Sequence, residues 1–307
     1  MAAIIINLFF IIFAPLLFIG IINRTKALCS GRKGPVILQP FFDVIKLFNK
    51  GQVISEVSTP IFKIAPTIYL ASVLFAATLI PIGAKAPIES FNGDFILFAY
   101  ILALGRFFSI IGAMDTGSSF EGMGASREAS FSAFIEPAFF IIIASIIYLT
   151  GYKSFRDIFI LLPNFKDINL IITALSVIAF FIIMLVEGCR VPIDDPNTHL
   201  ELTMIHEVMI LDNSGPDLAF ILYGAALKII LIASIIINFI LPATLPLIYF
   251  TALFFLLLIA LAILVGITES FMARMRMTHI PEFALSLTSI GLLILSVAII
   301  SFAGEIK

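Results

Sequence analysis

The chain has 307 residues, of which 61% are hydrophobic and 12% charged, and its mean hydropathy is +1.16. A soluble domain of this length has too little interior for so much Ile, Leu and Phe, so composition excludes a secreted enzyme or a nucleic-acid binder and predicts an integral membrane protein. The net charge of −2 says nothing about partners, and two cysteines without a CxxC spacing support neither a disulfide framework nor a metal cluster.

A charge at the centre of a span costs roughly 3 kcal/mol on insertion scales, so charge-free intervals mark the spans. The first is 2–23; Arg24 and Lys26 follow this run and do not precede it, which predicts a spanning helix and not a cleavable signal peptide. Between it and the second span, 64–84, the segment GRKGPVILQPFFDVIKLFNKG places Phe41, Ile45 and Phe48 on one helical face and Asp43, Lys46 and Lys50 on another. This is an amphipathic interfacial helix, either a surface anchor or one wall of a site. The third span, 94–114, contains Arg106, and the fourth, 131–151, contains Glu136 followed by Pro137. Between them lies a Gly-rich loop with Asp115, Glu121, Arg127 and Glu128.

The fifth span is 168–186. Pro242 and Pro246 split a long charge-free stretch into a sixth span near 218–240, carrying Lys228, and a seventh near 247–267; the eighth is 283–304. The fold class is therefore all-α, a polytopic membrane protein with about eight transmembrane helices and an amphipathic cytoplasmic helix. Residues 1–307 form a single transmembrane domain with cytoplasmic loops 24–63, 115–130, 187–217 and 268–282. Loops after odd-numbered spans carry eleven Lys and Arg, including Arg274 and Arg276, against five on the other side. The positive-inside bias therefore puts both termini outside the cytoplasmic membrane.

Residues 187–217, EGCRVPIDDPNTHLELTMIHEVMILDNSGPD, hold seven carboxylates (Glu187, Asp194, Asp195, Glu201, Glu207, Asp212, Asp217) against one cation, Arg190. Asp195 followed by Pro196 predicts a helix start, on a helix bearing His199 and His206 on one face. The apolar residues among these acids imply packing, and packed carboxylates need partners or shifted pKa values, as proton-handling sites do. His206-Glu207 opens an HExxH pattern, but position 210 is Ile, so no metal site is expected.

These residues, with GMGASREASFSAFIEP at 122–137, resemble the eight-helix membrane subunit shared by respiratory complex I (its first membrane-arm subunit) and the energy-converting group 4 NiFe hydrogenases. The quinone-reducing branch typically reads Glu-x-x-Arg-x-Pro-Phe-Asp-x-Pro-Glu-x-Glu-x-Glu-Leu. Glu187, Arg190, Pro192, Asp194, Pro196, Glu201 and Leu202 match in order, while Ile193 replaces Phe and Asn197 and His199 replace two carboxylates. The wording DDPNTHLELTMIHE is closer to the formate-hydrogenlyase and hydrogenase-4 type. The resemblance implies a non-catalytic anchor and coupling subunit of an oxidoreductase complex, contributing to proton or sodium translocation and carrying no cofactor itself. Its partners would be hydrogenase-type large and small soluble subunits, a ferredoxin-like Fe–S subunit and antiporter-like membrane subunits, with the NiFe centre and Fe–S clusters in those partners. Quinone binding stays open between the two branches, and an independent ion-coupled transporter is the alternative of another class.

The residues expected on a proton path or in coupling are Glu136, Glu187, Asp194, Glu201, Glu207, Asp212, Glu128 and Asp43. Those expected in structure or interface are Arg190, Arg127, His199, His206, Arg106 and Lys228. Glu136 reads as a relay carboxylate or as a snorkelling side chain, and Arg106 and Lys228 as its partners or as snorkelling cations. Glu136 and Glu187 are expected close enough for one to hold a proton near neutrality.

Overall fold

The computed structural model describes residues 1–161, 168–194, 204–276 and 279–305. Among them are eleven helices and no strand: α1 (Ala2–Cys29), α2 (Gln39–Phe48), α3 (Pro60–Thr78), α4 (Asp94–Asp115), α5 (Ser119–Thr150), α6 (Phe155–Leu161), α7 (Ile168–Glu187), α8 (His206–Met209), α9 (Gly215–Ile240), α10 (Leu247–Phe271) and α11 (Ile280–Glu305). Seven are long and apolar enough to cross a bilayer: α1, α3, α4, α5, α9, α10 and α11. The eighth apolar helix, α7, has 20 residues, the length that spans a hydrocarbon core of about 30 Å.

Helix α9 is the axis of the bundle. Every residue from Ala226 to Phe239 is buried, as an all-round apolar helix surrounded by other helices must be. Small residues let its neighbours close in. A Cβ on Gly224 would lie 2.7 Å from the Tyr69 ring of α3, and one on Gly105 of α4 would collide with Ser72 Oγ. Asp115, at the end of α4, accepts from the main-chain N–H groups of Thr59 (2.8 Å) and Phe62 (3.2 Å) and so caps the start of α3.

Several sequence expectations are corrected. The span expected at 64–84 is helical over Pro60–Thr78, and the chain continues as a buried non-helical segment. Irregular backbone is tolerated at depth only when protein groups satisfy it. Asn7 accepts from Ile82 N–H (2.7 Å) and donates to the Ala86 carbonyl (2.9 Å), while Asn238 donates to the Pro81 carbonyl (2.8 Å). The Gly-rich stretch expected as a loop is the beginning of α5, which starts at Ser119, so Arg127 and Glu128 are helical. Gly124 serves close packing: a Cβ there would meet the Ile205 carbonyl at 2.7 Å.

In α2 the buried face is Val44 flanked by Phe41 and Leu47, packed on Leu16 of α1 and Ala219 of α9. Ile45 and Phe48, expected beside Phe41, are exposed. Of the helix expected to start at Asp195 and to carry His199, Glu201, His206 and Glu207, positions 195–203 lie outside the described residues; Met204 and Ile205 are not helical, so His206 and Glu207 belong to the separate short α8. The expected loop borders also move, since 24–29, 60–63, 215–217 and 268–271 are helical.

Candidate functional site

Arg106 is the centre of a buried ion cluster. An arginine in the middle of an apolar helix must find carboxylates, because a lone buried charge is far costlier than a paired one. Its Nη1 lies 2.7 Å from Glu136 Oε1, its Nη2 2.5 Å from Glu187 Oε2 and its Nε 3.5 Å from Glu128 Oε1. Lys228 Nζ approaches the same Glu187 carboxylate at 2.6 Å. Helices α4, α5, α7 and α9 thus meet at two cations and three carboxylates. Glu187 is 11% exposed at its side chain and Glu136 45%, so the inner pair is shielded and the outer carboxylate is half open.

Arg106 and Lys228 pair with the acids and do not snorkel. Glu136 is nearly five turns into its helix, not one or two, because α5 begins twelve residues before the expected start. It does not stand against Glu187 as a bare second carboxylate, since the Arg106 guanidinium lies between them.

A second set of contacts fixes the 188–210 loop onto this cluster. Asp194 Oδ1 receives Arg274 Nη2 at 2.8 Å, and its Oδ2 accepts from the N–H groups of Ile205 (3.2 Å) and His206 (3.1 Å). Burial pushes the Asp194 carboxyl up, against the opposing pull of these N–H groups and of Arg274. Arg127 donates to the Met204 carbonyl at 2.9 Å, and Glu121 accepts from Asp212 N–H at 3.0 Å. Cys189 turns the chain through a left-handed conformation (φ +50°), and burial pushes its thiol well up.

Sequence reasoning missed Glu269. Its buried carboxylate lies 2.7 Å from Lys26 Nζ and 3.4 Å from Arg190 Nη1, tying α10 and α1 to the loop. The available signal was a single carboxylate directly after an apolar run of forty residues, 229–268. The segment between the first two spans also reaches this loop: Gln52 is bonded to Asp217, and Val53 to Ser214. Arg106 and Lys228 pair with Glu187, Arg274 pairs with Asp194, and Arg190 of the loop pairs with Glu269.

Among the cavities around the cluster and the loop, two share His206. The wide one, about 230 Å³, lies between α1, α2 and α9, with Leu16, Ile19 and Ile229 on its apolar walls and Asp43, Arg190, Asp194, His206 and Glu207 at its polar end. The narrow one, about 30 Å³, is bounded by Tyr69, Arg106, Glu128, Glu187, Cys189, His206 and Lys228. Of the expected site residues, Glu128, Glu136, Glu187, Arg106 and Lys228 therefore form one group. Asp43, Asp194, Glu207, Arg190 and His206 border the wide chamber, and Asp212 and Arg127 hold the far side of the loop. Glu201 and His199 lie outside the described residues. Among the described residues, no three His, Cys, Asp or Glu side chains are grouped as metal ligands.

The chain belongs to the NADH dehydrogenase family, whose model matches residues 2–301. It is similar to Escherichia coli hydrogenase-4 component C (30% identical, 74% of this chain and 70% of the relative) and to E. coli formate hydrogenlyase subunit 4 (29%, 88% and 89%). It is also similar to the H-type subunit of the Wolbachia pipientis NADH-quinone oxidoreductase (27%, 81% and 79%). Among solved structures, the membrane-bound sulfane sulfur reductase, an archaeal respiratory membrane complex, shares the fold, with a TM-score of 0.83, 21% identity and coverage of 97% of this chain and all of that one.

Proposed function

We propose that this chain is the membrane-anchor and coupling subunit of an energy-converting, NiFe-hydrogenase-type complex. Its acidic loop and neighbouring cytoplasmic segments dock the soluble redox arm, and its buried charges take part in proton or sodium translocation. The observation that carries the reading is Arg106 between Glu136 and Glu187. It joins a half-open carboxylate on the flank of α5 to an enclosed one beneath the loop. Buried ionisable groups within spans are costly, and proton relays are among their best-attested uses. The similarity to hydrogenase-4 component C and formate hydrogenlyase subunit 4 supports a hydrogenase-type setting. The NiFe centre and Fe–S clusters then belong to large, small and ferredoxin-like soluble partners, with antiporter-like subunits beside this chain in the membrane. The excess of Lys and Arg on one set of loops supports a cytoplasmic-membrane location with both termini outside.

A second reading is favoured by the wide chamber. Its apolar walls beside α1, α2 and α9 and its polar lining at Arg190 and Asp194 suit a lipophilic carrier with a hydrogen-bonding head, such as a quinone.

The test is purification of the intact complex, assay of its nickel and reconstitution into vesicles. Co-purifying nickel, and Glu136→Gln lowering ion translocation several-fold while redox turnover with an artificial donor holds, are expected. A nickel-free complex that reduces quinone selects the second reading. A chain that purifies alone and transports an ion without redox partners refutes both.

A further inference from the structure

His206 stands in the partition between the two chambers. It borders the wide chamber together with Asp194 and Glu207, and the narrow one together with Glu187, Glu128 and Lys228. Its main chain is fixed, because its N–H donates to Asp194 Oδ2, while Arg274 holds the other carboxylate oxygen, Oδ1. Its ring is not saturated in the same way: Nε2 is buried and has no hydrogen-bond partner among the described residues. A buried ring nitrogen without a partner is a poor choice for packing alone. Beside a narrow chamber with room for about one water it has a use.

The other groups at this junction do not substitute for it. Arg106 stays protonated under all ordinary conditions, Lys228 is held on Glu187, and the Cys189 thiol is pushed up by burial. An imidazole has two ring nitrogens, so one can take a proton while the other gives one up.

We propose that His206 passes protons between the wide chamber and the Arg106–Glu187 cluster, an inference that rests on the coupling function proposed above. One ring nitrogen gains a proton from the wide chamber while the other loses its proton toward the carboxylates. The ring ends neutral as the opposite tautomer, and a turn of the ring resets it. Neither step needs an oxidant, a reductant or a metal.

The experiment uses the intact complex in vesicles, with internal pH followed during turnover on an artificial electron donor. In His206→Ala and His206→Gln, turnover should stay within about twofold while proton translocation per turnover falls about a hundredfold, the lower end of the range for a lost acid–base group. Added imidazole should restore translocation in the alanine variant, where it has room beside the wide chamber, and not in the glutamine variant, whose side chain fills the site. Normal translocation in the alanine variant, or a loss that imidazole does not repair, overturns the relay. Failure of both variants to assemble makes the ring a packing element and overturns it too. A wild-type complex that turns over while moving sodium and no protons overturns the relay alone, whereas one that moves neither ion overturns the coupling function as well.

Discussion

Removing Arg106 tests whether the cluster is held as an ion network. In Arg106→Met the side chain keeps its apolar stem and loses its charge, and the three carboxylates then share Lys228 alone, which reaches Glu187 at 2.6 Å. Breaking a buried pair by removing one partner costs about 3–5 kcal/mol. At an effective dielectric of 20, two unit charges 4 Å apart interact by about 4 kcal/mol, which is consistent with that range. The carboxylates are not equivalent. Glu136 is 45% exposed at its side chain, so solvent screens its pair with Arg106, and Glu136→Gln should cost no more than about 1 kcal/mol. Glu187→Gln leaves Lys228 buried without its counter-charge, while Arg106 keeps Glu136 and Glu128, so its cost should approach the Arg106→Met value. The ranking is read from thermal unfolding of the complex in detergent, following this chain's dissociation or loss of solubility. Equal destabilisation by Glu136→Gln and Glu187→Gln, or a neutral Arg106→Met, would refute the reasoning.

Three further outcomes follow from the geometry. Burial raises the Asp194 carboxyl, so its contribution to stability is fully present below the unfolded value of about 3.9 and is lost as pH rises through the folded value. The stability of wild type relative to Asp194→Asn should thus fall with rising pH across that window, and a difference that grows with pH in a thermal-stability series contradicts it. Asn7→Leu strands the Ile82 N–H and the Ala86 carbonyl, at about 1–3 kcal/mol for each unsatisfied group, and should lower the melting midpoint clearly more than the exposed Ile5→Leu. At neutral pH a maleimide should label exposed Cys29 and spare Cys189, whose thiol is pushed up by burial; equal labelling by mass spectrometry would place the 188–194 turn in water.

The apolar spans were legible because the bilayer demands about 20 uninterrupted apolar residues, a requirement written along the chain and needing no neighbour. The carboxylates of 187–217 were legible as a site for a similar reason, since seven acids among packed apolar residues cannot all be left to water. Helix ends were less legible. Gly122 and Gly124 suggest a loop by themselves, yet both lie in α5, where Gly124 lets Ile205 and Met209 come close, and Pro81 suggests a helix end without revealing that Asn7 and Asn238 hold the segment after it. Pairing was not legible at all. Arg106 and Glu187 are 81 residues apart, Lys26 and Glu269 more than 240, and nothing in local pattern relates them. The sequence alone determined that charges are buried in a membrane bundle. Only the packing of α4, α5, α7 and α9 decided which charges meet, because an ion pair depends on distances of a few ångströms between helices that meet only in the folded bundle.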